Sequence, residues 1–112
     1  MPFLAMKPSP PIYSRHDDDP ELRDAIETFI IGLGEWIDSL QDLYSEANWK
    51  TLATRSRDLS REAEGAGYPL MVEVCTATAR AADASDAGAS HKQLEQLTEI
   101  IQRIRRGSRG AA

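Results

Sequence analysis

The chain has 112 residues, enough for one domain with a buried core but hardly for two. It is 41% hydrophobic and 28% charged, which is typical of a soluble globular protein, and its net charge of -5 argues against general binding to nucleic acid or anionic lipid. A single cysteine, Cys75, excludes an internal disulfide. With no secretory signal and no apolar run of membrane-spanning length, we expect a cytoplasmic protein.

The N-terminal segment is rich in proline, which lacks an amide donor and disfavours helix in the residue before it. We therefore predict a disordered or extended tail over residues 1–13 and a folded unit over residues 14–107. Residues 108–112, rich in glycine and alanine, are predicted to be a flexible C-terminal tail.

The first predicted helix covers residues 20–46. Asp19 is placed to cap it, and Pro20 suits the first helical position because that position needs no amide donor. Apolar residues then recur at alternating spacings of three and four, which is typical of one buried helical stripe. They are Leu22, Ile26, Phe29, Leu33, Trp36, Leu40 and Leu43.

Three further helices follow the same logic. Asn48 is predicted to cap the second helix, which the Gly65-Ala66-Gly67 sequence ends. Pro69 opens the third, whose apolar face is narrow and rich in alanine. Ser90 is predicted to cap the fourth and Gly107 to end it.

No segment has the alternation of a strand. Four amphipathic helices with short connections predict an all-α fold, an antiparallel up-down four-helix bundle. We expect Trp36 and Trp49 to bury the largest areas in its core.

Residues 49–69, WKTLATRSRDLSREAEGAGYP, carry a resemblance to a known family. They align without a gap with the central motif of histidine-phosphotransfer (HPt) domains, which typically reads W-x-x-L-A-x-x-A-H-x-L-K-G-x-A-G-x-x-G-F-P. The upstream DDDPELRDAIETF is similar to the first helix of bacterial members. The resemblance covers about residues 13–84 and implies a phosphorelay module of two-component signalling.

The departures from the motif fall where HPt chemistry takes place. Arg57 occupies the position of the phospho-accepting histidine, Ser60 that of a lysine, and Arg61 that of a glycine. A guanidinium is permanently charged and is not a nucleophile, so we predict no catalytic residue and no phosphotransfer. The chain is interpreted as a pseudo-phosphotransferase that needs no cofactor or metal.

The resemblance implies a partner-docking surface on the second helix. Its predicted members are Lys50, Thr54, Arg57, Ser60, Arg61 and Glu64. The predicted partner is a response-regulator receiver domain or a histidine kinase, with the chain itself a monomer or weak dimer. The alternative for this surface is a solvated helix face on which Arg57 and Arg61 pair with nearby Asp58 and Glu64.

Two other functions remain open. A displaced histidine such as His91 would make the chain an active phosphotransferase, although no motif surrounds it or His16. Alternatively, the bundle is purely structural, and its alanine-rich third helix packs against another copy. Asp17, Asp18 and Asp19 are better explained by a helix start than by a cation site.

Overall fold

The computed structural model describes residues 9–110, and side chains for residues 9–108 of these, with four α-helices and no strand in that range. The helices are α1 (Arg23–Ser45), α2 (Trp49–Ala66), α3 (Pro69–Asp83) and α4 (Ala87–Gly110). Contacts join α1 to α2, α2 to α3, α3 to α4 and α4 back to α1, which closes a ring. The all-α prediction is confirmed, and the packing is compatible with a four-helix bundle. None of these helices combines the length and the apolar character needed to cross a membrane.

The core is built from side chains of all four helices and is mostly aliphatic. Its largest fully buried apolar members are Leu33, Leu40, Leu52, Leu59, Met71, Leu97 and Ile104. Trp36 and Trp49, which were expected to bury the largest areas, are only partly buried and pack at the margin of this cluster. An indole at the margin keeps one face free for polar neighbours, and the Arg55 guanidinium carbon lies 4.2 Å from the Trp36 ring centroid.

Helix α1 begins three residues later than the sequence predicted. Its N-cap is Leu22, which offers no side-chain hydrogen bond. Asp19 instead caps a preceding turn, with its carboxylate accepting from the Glu21 amide at 3.0 Å. The predicted acidic start is therefore present, but it serves a turn that leads into the helix.

The connection between α2 and α3 is tight because Gly67 adopts a left-handed conformation with φ of 84°. The predicted cap at Asn48 is confirmed at the other end of α2, where its side chain accepts from the Thr51 amide at 3.3 Å. Ser14 is buried against Gly67, and its hydroxyl donates to the Ala66 carbonyl at 2.5 Å. The chain before α1 is thus fastened to the α2–α3 turn.

Residues 9–13 have no regular secondary structure and lie against α4; the remainder of the predicted tail, residues 1–8, lies outside the described residues. The Ile12 amide donates to the Arg103 carbonyl at 3.1 Å. A side chain on Gly107 would place its Cβ 2.5 Å from the Ile12 carbonyl oxygen. Gly107 therefore permits this close approach; its predicted role as a helix stop is wrong, because α4 continues to Gly110.

The start of α4 also differs from the prediction. Asp86 is the cap, since its carboxylate accepts from the Ala89 amide at 2.9 Å. Ser90 lies inside the helix, fully buried, with no hydrogen-bond partner for its hydroxyl among the described residues. A capping aspartate four residues earlier lengthens the helix by one turn.

Helix α3 packs its small side chains within this chain. Its buried residues include Cys75, Thr78, Ala79 and Ala82, and they lie between α2 and α4. Small side chains let neighbouring helices approach closely. The alanine-rich face is therefore already occupied by the chain's own helices.

We expect Gly67→Ala to lower the free energy of unfolding by about 1–3 kcal/mol, because alanine is strained at a positive φ and overpacks its site. The added Cβ would lie 2.5 Å from the Ser14 hydroxyl oxygen. Gly65→Ala is the matched control, since its Cβ meets open space inside α2. It should raise the free energy by up to about 1 kcal/mol. Urea unfolding measures both, and equal effects would contradict the assigned turn.

Candidate functional site

Helix α2 has two faces of opposite character. Leu52, Ala53, Ser56, Leu59 and Ala63 are buried, and they recur at the spacing of one helical stripe. Burial of this stripe turns the residues between them toward solvent.

The six residues predicted for partner docking lie on the opposite side of the helix, and we call this surface the α2 face. Lys50, Thr54, Arg57, Arg61 and Glu64 are exposed, and Ser60 is partly buried. Their spacing of three and four residues places them along one exposed stripe. The sequence prediction therefore grouped residues that do share a surface.

Arg57 is held by a carboxylate from another helix. Its guanidinium donates to both oxygens of Asp83, the last residue of α3, with an Nη1–Oδ1 distance of 3.5 Å and a closer Nη2–Oδ2 contact. The two side chains are 48% and 52% exposed, respectively. This two-pronged contact orients the fork of the arginine on the surface.

The ion pair between Arg57 and Asp83 shifts the pKa of both side chains. The hydrogen bond from Arg57, helped by its charge, holds the pKa of Asp83 below its ordinary value. The hydrogen bond to Asp83 likewise raises the pKa of Arg57, so the guanidinium is charged at any physiological pH. Position 57 is thus a fixed cation with no nucleophilic lone pair.

Of the ion pairs predicted within α2, the one between Arg61 and Asp58 forms, whereas Arg57 pairs with Asp83 instead. Asp58 is engaged by Arg61 and lies 3.7 Å from an Arg55 nitrogen. Glu64 forms no ion pair within the described residues. Local spacing favoured neighbours on α2, whereas the packing of α3 beside α2 brings in a carboxylate 26 residues away.

Asp83 was not identified from the sequence. One weak signal existed, because a carboxylate in the last turn of a helix is disfavoured by the helix dipole and so calls for another partner. Identifying Arg57 as that partner requires the register of α3 against α2, which no local pattern contains.

Neither histidine is on helix α2. His91 is exposed near the start of α4, 3.5 Å from a Glu95 carboxylate oxygen, with its ring centroid 5.8 Å from that of Tyr44. It lines a groove of about 560 Å³ between α1 and α4. His16 lies in the turn before α1, against Gly67. Neither histidine belongs to a group of three or more potential metal ligands among residues 9–110.

Cys75 and Tyr68 are both buried. Burial raises the pKa of each to about 12, which keeps both groups protonated and unreactive at neutral pH. Tyr68 stacks on Phe29 with ring centroids 5.8 Å apart. Both are core residues.

The α2 face carries three cations, of which Arg57 is paired with Asp83 and Arg61 with Asp58. Its cations are Lys50, Arg57 and Arg61. Arginine presents a planar fork of donors that matches carboxylate or phosphoryl oxygens two at a time. No known protein-family model, curated protein or solved structure matches this chain.

We expect Arg57→Gln to raise the pKa of Asp83 toward its ordinary value, because the charged donor is lost. Carboxyl ¹³C shifts followed from pH 7 to 2 measure it. Arg61→Gln is the control, since Arg61 pairs with Asp58 and should leave Asp83 unchanged.

The same pair has a stability signature with a definite sign. A folded pKa below the unfolded value of about 3.9 adds stability above that pH, and this is lost as pH falls through the folded pKa. Arg57→Gln should therefore lower the free energy of unfolding at neutral pH. As the pH falls, the free energy of unfolding of this variant should decrease less than that of the wild type. An unchanged Asp83 titration in Arg57→Gln would contradict the pairing.

Proposed function

We propose that this protein is an HPt-like phosphorelay module, an antiparallel up-down four-helix bundle that docks on receiver or histidine-kinase domains without transferring phosphate. The observation that carries the proposal is that Arg57, which the resemblance aligns with the phospho-accepting histidine, is exposed and charged. Its surroundings on α2 combine a motif-like buried side with an altered exposed side.

The buried half of the motif supports the fold part of the proposal. Leu52, Ala53, Leu59 and Ala63 match the HPt pattern, and all four are core residues. Gly67 matches as well and ends α2 in the left-handed conformation. These residues pack the core. A chain that retains them can therefore keep the bundle even when residues on its exposed face have changed.

The exposed half argues against phosphoryl transfer. Accepting a phosphoryl group requires a lone pair on the attacking atom, and the Arg57 guanidinium has none available. Ser60 supplies no cation to offset the developing negative charge. Arg61 places a long charged side chain where the motif has glycine.

Docking fits the charge of the same surface. A receiver domain presents an acidic pocket around its phospho-accepting aspartate, and a fixed guanidinium complements carboxylates there. Charge complementarity at such an interface affects the choice of partner and the association rate more than it affects the affinity. A module of this kind would compete with active phosphotransfer domains for receivers.

We expect a subset of receiver domains from the source organism to bind, and Arg57→Glu to weaken that binding about tenfold or more because it reverses the central charge. Lys92→Glu, an exposed site on α4, is the matched control and should change affinity little. Isothermal calorimetry at two salt concentrations measures both variants.

The proposal fails if no receiver domain or histidine kinase binds, or if Arg57→Glu and Lys92→Glu weaken binding equally. Incubation with a phosphorylated receiver supplies the second arm. We expect no acid-labile phosphoryl label on the wild-type chain. Label that is lost in His91→Ala would instead favour an active phosphotransferase with a displaced histidine.

A further inference from the structure

The guanidinium of Arg57 is already occupied in the isolated protein. Asp83 accepts hydrogen bonds from both Nη atoms of Arg57 through its two carboxylate oxygens. An acidic group from a partner therefore meets a neutralised arginine and has to exchange with a carboxylate in place.

We propose that Asp83 is a selectivity residue of the α2 face, an internal carboxylate that holds Arg57 until a partner's acidic group replaces it. This inference rests on the proposed docking function and names the residue that tunes it. The partner chemistry is a protein carboxylate, or a cluster of them, on a receiver domain.

The geometry permits such an exchange. Both members of the pair are about half exposed, so a partner can reach the guanidinium without opening the core. Asp83 ends α3 and is followed by a turn in which Ser85 has a φ of 52°. The α3 helix keeps its C-terminal backbone hydrogen bonds without the Asp83 side chain, because the Ala84 amide donates to the Arg80 carbonyl at 3.1 Å.

The energetics also favour exchange. An ion pair at an exposed surface contributes little because water and salt screen it. A carboxylate brought in by a partner is enclosed by the interface, where the same attraction is screened less. The interaction of a weakly acidic partner with Arg57 releases too little free energy to displace Asp83, whereas a cluster of carboxylates releases more. Asp83 thereby discriminates between partners.

The test is the affinity of Asp83→Asn for a receiver domain that binds the wild-type chain. Asparagine keeps the size of the side chain but removes the competing charge, so we expect binding to tighten about two- to fivefold at low salt. The gain should shrink as salt rises. Asp42→Asn, at an exposed position on α1, makes the same change in net charge and should alter affinity less than twofold.

A second readout follows the exchange directly. When the receiver is added to wild-type protein, the Asp83 carboxyl should lose its low pKa, because Arg57 has moved to the partner. Asp83→Asn binding no tighter than Asp42→Asn, or an Asp83 titration unchanged by the receiver, overturns the inference. If Arg57→Glu nevertheless weakens binding about tenfold or more in that case, the docking function stands and only the role of Asp83 falls. If neither a receiver domain nor a histidine kinase binds, both fail.

Discussion

Burial of one stripe of helix α2 is the constraint on which the rest of the protein depends. Leu52 and Leu59 are fully buried against the neighbouring helices. Once this stripe is buried, the helical period fixes the directions of the intervening side chains. Arg57 is consequently held at the surface, where its fork meets Asp83 and remains accessible. Fold and candidate function are therefore set by the two sides of one helix.

The predicted elements were accurate where the signal was local and repeated. Apolar spacing identified all four helices, and Asn48 is the cap that the sequence indicated. Errors arose where two local signals competed or where a distant part of the chain approached a helix. Asp86 caps α4 in place of Ser90, because its carboxylate accepts a backbone hydrogen bond one turn earlier in the chain. Gly107 has the composition of a helix stop but provides room for the backbone of Ile12, a contact between distant parts of the chain.

The candidate site divides in the same way. The helical period alone groups the exposed residues of α2, so the α2 face was predictable residue by residue. The partner of Arg57 was not, since it depends on how α3 lies beside α2. The consequence is chemical as well as structural. A solvated arginine would be a free cation, whereas the guanidinium of Arg57 is already hydrogen-bonded to Asp83 and neutralised by it.

The docking proposal is tested most directly by identifying which residues of this protein contact a receiver domain that binds it. Backbone ¹⁵N chemical shifts, recorded while a binding receiver domain is titrated in, report which residues meet it. We expect the largest changes along the exposed side of α2, centred on Arg57, with Asp83 at the end of α3 included. Changes centred instead on the groove between α1 and α4 that His91 lines would contradict the proposal.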